Sequence, residues 1–211
     1  MPYRTVAASA EFEERVKGSR FVARVLSVAD EAAARAARDD ARAREPDASH
    51  HCLAWRVGER MAADDDGEPG GTAGRPMLEL ILKRDLDRVA IVCSRWFGGT
   101  KLGAGGLLRA YGGTAAKALD RAGERTVHER VRTVAHVPYP WIDVVHRALD
   151  AWPEAVKEEP SYGPDGARLA VALRADAVAT LRAALAERTA GDVRLELDDT
   201  EPEPGADLNG S

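Results

Sequence analysis

The chain has 211 residues, 45% of them apolar, and a formal net charge of −5; that length can bury one large core or two small ones. No apolar run approaches the roughly 18 residues that cross a bilayer, and the segment from Met1 to Phe21 carries Arg4, Glu11, Glu13, Glu14 and Arg15 rather than the pattern of a secretory leader, so a cytoplasmic protein with no membrane partner is expected. Residues 1–130 hold 22 cationic against 20 acidic side chains, 131–197 hold 8 against 10, and 198–211 hold 0 against 5, which excludes a broadly basic nucleic-acid binder and leaves only local electropositive features to consider.

In chain order, an irregular start gives way to a predicted strand over residues 21–28. Asp30 then caps an alanine- and arginine-rich helix that ends near Glu45-Pro46. A second strand over 51–57 leads to a loop packed with Asp and Gly from Asp64 to Gly74. Pro76 stands where a first helical residue often does, opening a helix through Met77, Leu80 and Ile81. A third strand, 89–93, runs into the glycine-rich stretch 98–106, after which Leu108, Tyr111, Ala115 and Leu119 share one helical face. These elements make an α+β domain over residues 1–128, closing in a charged stretch from Gly123 to Arg130 that lacks apolar periodicity.

The pattern then restarts. Strand 131–137, helix 140–151, a weak strand near 154–159, strand 168–173, helix 175–187 and strand 193–197 give a β-α-β-β-α-β order over 129–198. Trp141, Val144, Val145, Ala148, Leu149 and Trp152 form one helical stripe, and Tyr162-Gly163-Pro164-Asp165-Gly166 supplies a hairpin turn. A ferredoxin-like sandwich is the economical architecture, and it implies no function by itself. Residues 199–211 are acidic, with almost nothing to bury, and are expected to be a disordered, solubilising tail.

Eleven of the 19 glycines lie between Gly67 and Gly113, a density that needs a reason because each glycine costs backbone entropy. The run from Arg95 to Arg109 follows a strand and opens a helix, the setting in which free amides attract anions. Arg95, Lys101 and Arg109 stand there without a carboxylate, and Gly98, Gly99, Gly103, Gly105 and Gly106 supply the backbone freedom. Ala104 stands where a P-loop needs Lys, and no third glycine completes the dinucleotide fingerprint. A generic anion or nucleic-acid site and a tight glycine turn that merely packs strand on helix both remain open.

A second cluster, Asp64-Asp65-Asp66-Gly67-Glu68, puts four carboxylates within five residues, followed by Thr72 and Arg75. Such charges repel unless something positive balances them. Mg²⁺ is one candidate, although the EF-hand spacing is absent; the basic stretch, through Arg95 or Lys101, is another; a solvated acidic loop is the third. Strand alternation allows His50 or His51 to point toward the same cleft, and His51 is taken as the candidate. Cys52 and Cys93 read as reduced core residues, with no zinc spacing around them, and neighbouring strand residues such as His51 and Cys52 face opposite sides, unlike a nucleophile pair. Trp55, Trp96, Phe97 and Tyr111 offer core packing or stacking faces.

Taken together, Lys17-Gly18-Ser19-Arg20-Phe21, His51-Cys52-Leu53-Ala54-Trp55, Asp65-Asp66-Gly67-Glu68-Pro69 with Gly71 to Pro76, and Arg95-Trp96-Phe97-Gly98-Gly99 through Gly105-Gly106-Leu107 to Arg109-Ala110-Tyr111 closely resemble the IMPACT/YigZ family over about residues 15–120. The resemblance implies an N-terminal domain of the ribosomal protein S5 domain 2-like type and a C-terminal domain similar to the last domain of elongation factor G. Eukaryotic relatives regulate translation by interfering with a starvation-responsive kinase, but they carry an RWD domain with no counterpart in this sequence. Departures from the family pattern include His51 where an Asn is usual, Trp55 and Trp96 for tyrosines, and Asp64 and Gly70 for serines.

The expected function is therefore a non-catalytic regulator or binding module of the translation apparatus. RNA or a ribosome-associated protein would contact the glycine-rich basic loop, with no DNA sequence specificity and no resident cofactor. The alternative is a Mg²⁺-dependent phosphotransferase or phosphohydrolase acting on a small phosphorylated ligand. The oligomeric state is left open by the sequence.

Overall fold

The structure, a computed structural model of the chain, describes residues 2–128 and 130–198; the tail expected over 199–211 lies outside the described residues. The chain divides into two compact units, Pro2–Val127 and a second that begins at His128. Both are mixed α/β, and no helix among the described residues is long and apolar enough to cross a membrane.

In chain order the first unit comprises β1 (Tyr3–Val6), β2 (Ala10–Val16), β3 (Ser19–Ser27), α1 (Glu31–Arg44), β4 (His50–Val57), β5 (Arg60–Asp64), α2 (Gly74–Lys83), β6 (Val89–Trp96), α3 (Ala104–Ala122) and β7 (Glu124–Val127). Its main sheet runs β2-β3-β6-β4-β5, with every neighbouring pair antiparallel. The central strands are covered on both faces, which is why they read as apolar runs and not as strict alternation. On one face Phe21, Ala23, Cys52, Ile91 and Cys93 pack against Met77 and Ile81 of α2 and Tyr111, Ala115 and Leu119 of α3. On the other, Ala34 and Ala41 of α1 lie on Leu53, Trp55, Ala90 and Val92; alanines let the helix approach the sheet closely. Asp30 caps α1 as expected, its carboxylate accepting the Ala33 amide at 2.7 Å.

Several expectations are corrected. The start of the chain is two strands: β1 pairs with β7, which lies in the charged stretch, lacking apolar periodicity, at the end of the domain. Neither strand is visible locally because each is completed by a segment about 120 residues away. The apolar alternation of β2 is broken at Glu14, whose carboxylate accepts from Thr114 on α3 at 2.7 Å and pairs with Lys117. β5 precedes the acidic loop, so the loop proper starts after Asp64. α2 opens at Gly74, two residues before Pro76, because the Asp65 carboxylate gathers the Gly71, Ala73 and Gly74 amides. Leu108 lies 49% exposed, and Leu107 takes the buried position expected of it.

The second unit runs β8 (Arg130–Val137), α4 (Ile142–Asp150), β9 (Val156–Lys157), β10 (Ser161–Gly163), β11 (Gly166–Arg174), α5 (Val178–Arg188) and β12 (Arg194–Leu197). Its sheet order is β10-β11-β8-β12, with β9 also on β11, so the β-α-β-β-α-β order is present and its second strand is split in two. Pro160 lies between the two pieces and has no amide to donate to the ladder. Val145, Leu149, Leu181 and Leu185 of the helices meet Ala135, Leu169, Val171 and Leu195 of the sheet.

Candidate functional site

The acidic loop and the segment entering the glycine stretch meet at one buried ion pair. Glu68, 8% exposed, accepts from the Arg95 guanidinium at 2.6 Å and from the Tyr111 hydroxyl at 2.7 Å. Arg95, 5% exposed, also donates to Ser19 Oγ at 3.3 Å. The Tyr111 ring stacks edge-on against Phe21 at 5.1 Å. Burial pushes the ionisation of the Tyr111 hydroxyl and of the Cys52 thiol far up, so both are neutral donors; the Cys52 thiol donates to the Asp65 carbonyl at 3.1 Å.

The other carboxylates are consumed too, chiefly by partners that the sequence does not point to. Asp64 pairs with Arg38 and Asp66 with Arg42, each at 2.5 Å, both cations coming from α1. Asp66 also accepts the His51 amide at 2.6 Å. Asp65 is the hub of three backbone amides at 2.6–2.9 Å. The carboxylates therefore diverge, and among the described residues no three His, Cys, Asp or Glu side chains converge where a cation could be held. The donor set does not fit Mg²⁺. Of the two basic-stretch partners expected for this loop, Arg95 takes the role and Lys101 does not.

Strand alternation decides the histidines the other way round from the expectation. His51 points to the α1 face, where Nδ1 lies 3.0 Å from Ser94 Oγ, and burial holds its pKa below the usual value. His50 is the one that borders the cleft side, with Nε2 3.9 Å from Glu68 and Nδ1 2.8 Å from the Asp66 carbonyl. Thr72 turns inward, donating to the Pro69 carbonyl at 2.6 Å. Arg75 is exposed and paired with Glu79 one helical turn on.

The glycines divide by role. A Cβ at Gly98 would overlap the carbonyl of Gly18 and the amide of Ser19, so Gly98 is required by the close approach of the β2–β3 hairpin tip. Gly99 (φ +84°) and Gly103 (φ +70°) have positive φ and open space around them, a conformation that favours glycine. Gly105 and Gly106 lie in the first turn of α3, where the Arg109 guanidinium folds back to 3.6 Å from the place a Gly105 Cβ would occupy. The Phe97 and Gly98 amides are held by Ser49 Oγ and Ser19 Oγ, both at 3.2 Å. Beyond them, the amides of residues 99–106 donate to no acceptor among the described residues. Lys101 and Arg109 are exposed and form no ion pair among the described residues.

The surface thus consists of the loop 97–103, the start of α3, and the hairpin tip at Lys17 and Gly18, both with positive φ. Lys17, Ser19, Ser49 and His50 were not singled out by charge or glycine density. The tight Lys17-Gly18 turn is the signal that marks the first two; nothing local marks Ser49.

A family model described as the Impact N-terminal domain matches residues 17–119, a span holding every residue of this surface. An IMPACT family member in the pol 5'region of Thermus thermophilus is 43% identical over 158 residues, covering 75% of this chain and 86% of that protein. The chain belongs to the IMPACT family. The IMPACT family member YvyE of Bacillus subtilis is 38% identical over 152 residues, 70% of this chain and 69% of its own length. A crystal structure of a hypothetical protein, 31% identical, superposes with a TM-score of 0.68 over 95% of this chain and 98% of that one. In this IMPACT family chain, the matched domain brings the hairpin tip, the acidic loop and the glycine loop to one end of the main sheet.

Proposed function

We propose that this IMPACT family chain is a non-catalytic binding module of the translation apparatus, engaging RNA or a ribosome-associated protein through the glycine-rich basic loop. One observation carries the proposal. The acidic loop spends its charge within the protein, on Arg38, Arg42, Arg95 and backbone amides, while Lys101 and Arg109 are exposed without an ion pair and the amides of 99–106 have no acceptor, both among the described residues. Exposed, uncompensated cations beside free amides suit an anionic partner.

Family membership supports the translational setting, and the sheet order of the second unit supports its ferredoxin-like assignment. The S5 domain 2-like assignment of the first unit rests on the family resemblance. A cytoplasmic location accords with this role. Among the described residues, Cys52 and Ser94, the hydroxyl beside His51, are both fully buried, so neither is open to a substrate.

The test is co-sedimentation with ribosomes. Lys101→Glu and Arg109→Glu, both on the surface, are expected to weaken association together with its salt dependence. Unchanged co-sedimentation of both variants would refute the proposal.

A further inference from the structure

We infer that the occupant of the glycine-loop surface is single-stranded RNA, with an unpaired base stacked on Phe97 and its flanking phosphates on Lys101, Arg109 and Lys17; this rests on the translational reading above. Of the three phenylalanines, Phe21 is fully buried and Phe12 is partly buried beneath Lys117 and Arg121 of α3. Phe97 is 51% exposed. Leaving a large aromatic ring in water forfeits its burial energy, so its place at the mouth of a cationic loop calls for a reason.

The ring is not on a loose tip. Its amide is bonded to Ser49, the next amide to Ser19, and the following backbone is wedged against Gly18. The Arg95 guanidinium, itself clamped by Glu68, lies 5.7 Å from the ring centroid. An aromatic held this way loses little entropy on stacking, and aromatic stacking combined with backbone-tracking cations is how single strands are bound without sequence preference.

The surroundings favour a nucleic acid over a protein partner. From Trp96 to Leu119 the sequence holds no carboxylate, and the hairpin tip that touches Gly98 adds Lys17, exposed and unpaired among the described residues. The residues following Phe97 are Gly98, Gly99, Thr100 and Lys101, and Leu108 is the one exposed large apolar side chain that the start of α3 adds, short of the apolar core that a protein interface packs around its aromatic anchors. A duplex hides its base faces and can use only the cations.

The experiment is fluorescence anisotropy of the full chain with labelled oligouridine, oligothymidine and an RNA duplex at low salt. Phe97→Ala is expected to weaken oligouridine binding roughly 5- to 150-fold, the range that loss of one stacked base carries, with Phe97→Tyr retaining it and duplex binding little changed. Lys101→Glu should weaken both RNAs and flatten the salt dependence. Equal binding of oligouridine by Phe97→Ala and the parent, a stronger preference for oligothymidine, or no oligouridine binding by the parent while Lys101-dependent ribosome association persists would each overturn the inference. The last of these leaves the translational reading standing with a protein as partner. Loss of that reading shows separately, as ribosome association indifferent to Lys101 and Arg109.

Discussion

Glu68 and Arg95 form a pair that is almost fully desolvated: Tyr111 gives its hydroxyl to the same carboxylate oxygen, and Ser19 takes one arm of the guanidinium, while Arg95 Nε is buried with no acceptor among the described residues. Removing one charge of such a pair strands the other in a low-dielectric setting. Glu68→Gln is expected to cost about 3–5 kcal/mol, read as a drop in the urea midpoint with the slope unchanged. A loss under about 1 kcal/mol would mean that the pair is solvated. Asp64, by contrast, is half exposed although its partner Arg38 is mostly covered, and a carboxylate so open to water gains less from its pair than Glu68 does. Four carboxylates that look alike in the sequence thus have four different environments, separated by burial and by the partner each one meets.

At the scale of elements, the glycine loop is shaped by two unlike constraints. Gly98 is needed because the hairpin tip between β2 and β3 leaves no room for a side chain; Gly99 is needed for its positive φ, in open space. Gly98→Ala must push two backbones apart, and the expected loss is about 1–3 kcal/mol or more. It is also expected to displace the Phe97 ring and so weaken oligouridine binding. Gly99→Ala meets no neighbour and should cost only about 1–2 kcal/mol of backbone strain. Denaturant titration of both variants beside the binding assay separates these effects; equal losses would show that the hairpin contact is slack. α1 has a part that its sequence conceals: beyond covering the sheet, it sends Arg38 and Arg42 to the acidic loop, and so keeps that loop's charge away from the glycine surface.

At the scale of the whole molecule, each unit has its own core, one around Phe21, Ile91 and Tyr111 and another around Val145, Val171 and Leu181. All residues of the proposed surface belong to the first. A fragment ending at residue 128 is therefore expected to unfold cooperatively and to retain oligouridine affinity within about twofold, a difference of roughly 0.4 kcal/mol. A fragment ending at residue 122 loses β7, leaves β1 without its partner, and is expected to be less stable. Loss of binding in the longer fragment would place part of the surface in the second unit.

Much of this was legible along the chain. Asp30 before an alanine-rich run, the apolar strands at 21–28 and 89–93, and the β-α-β-β-α-β rhythm after residue 130 are local signals, set by capping chemistry and by side-chain periodicity. The crowding of glycine at 98–106 and the lack of carboxylates near Lys101 and Arg109 were equally plain, since composition does not depend on the fold. What needed three dimensions was every property fixed by a distant partner: the pairing of β1 with β7, the choice of His50 over His51 for the cleft side, the neutralisation of Asp64 and Asp66 by α1, and the burial of Glu68 against Arg95. Charge and burial are sums over neighbours in space. A sequence names the neighbours along the chain, and only the folded backbone determines which of the others come within a few ångströms.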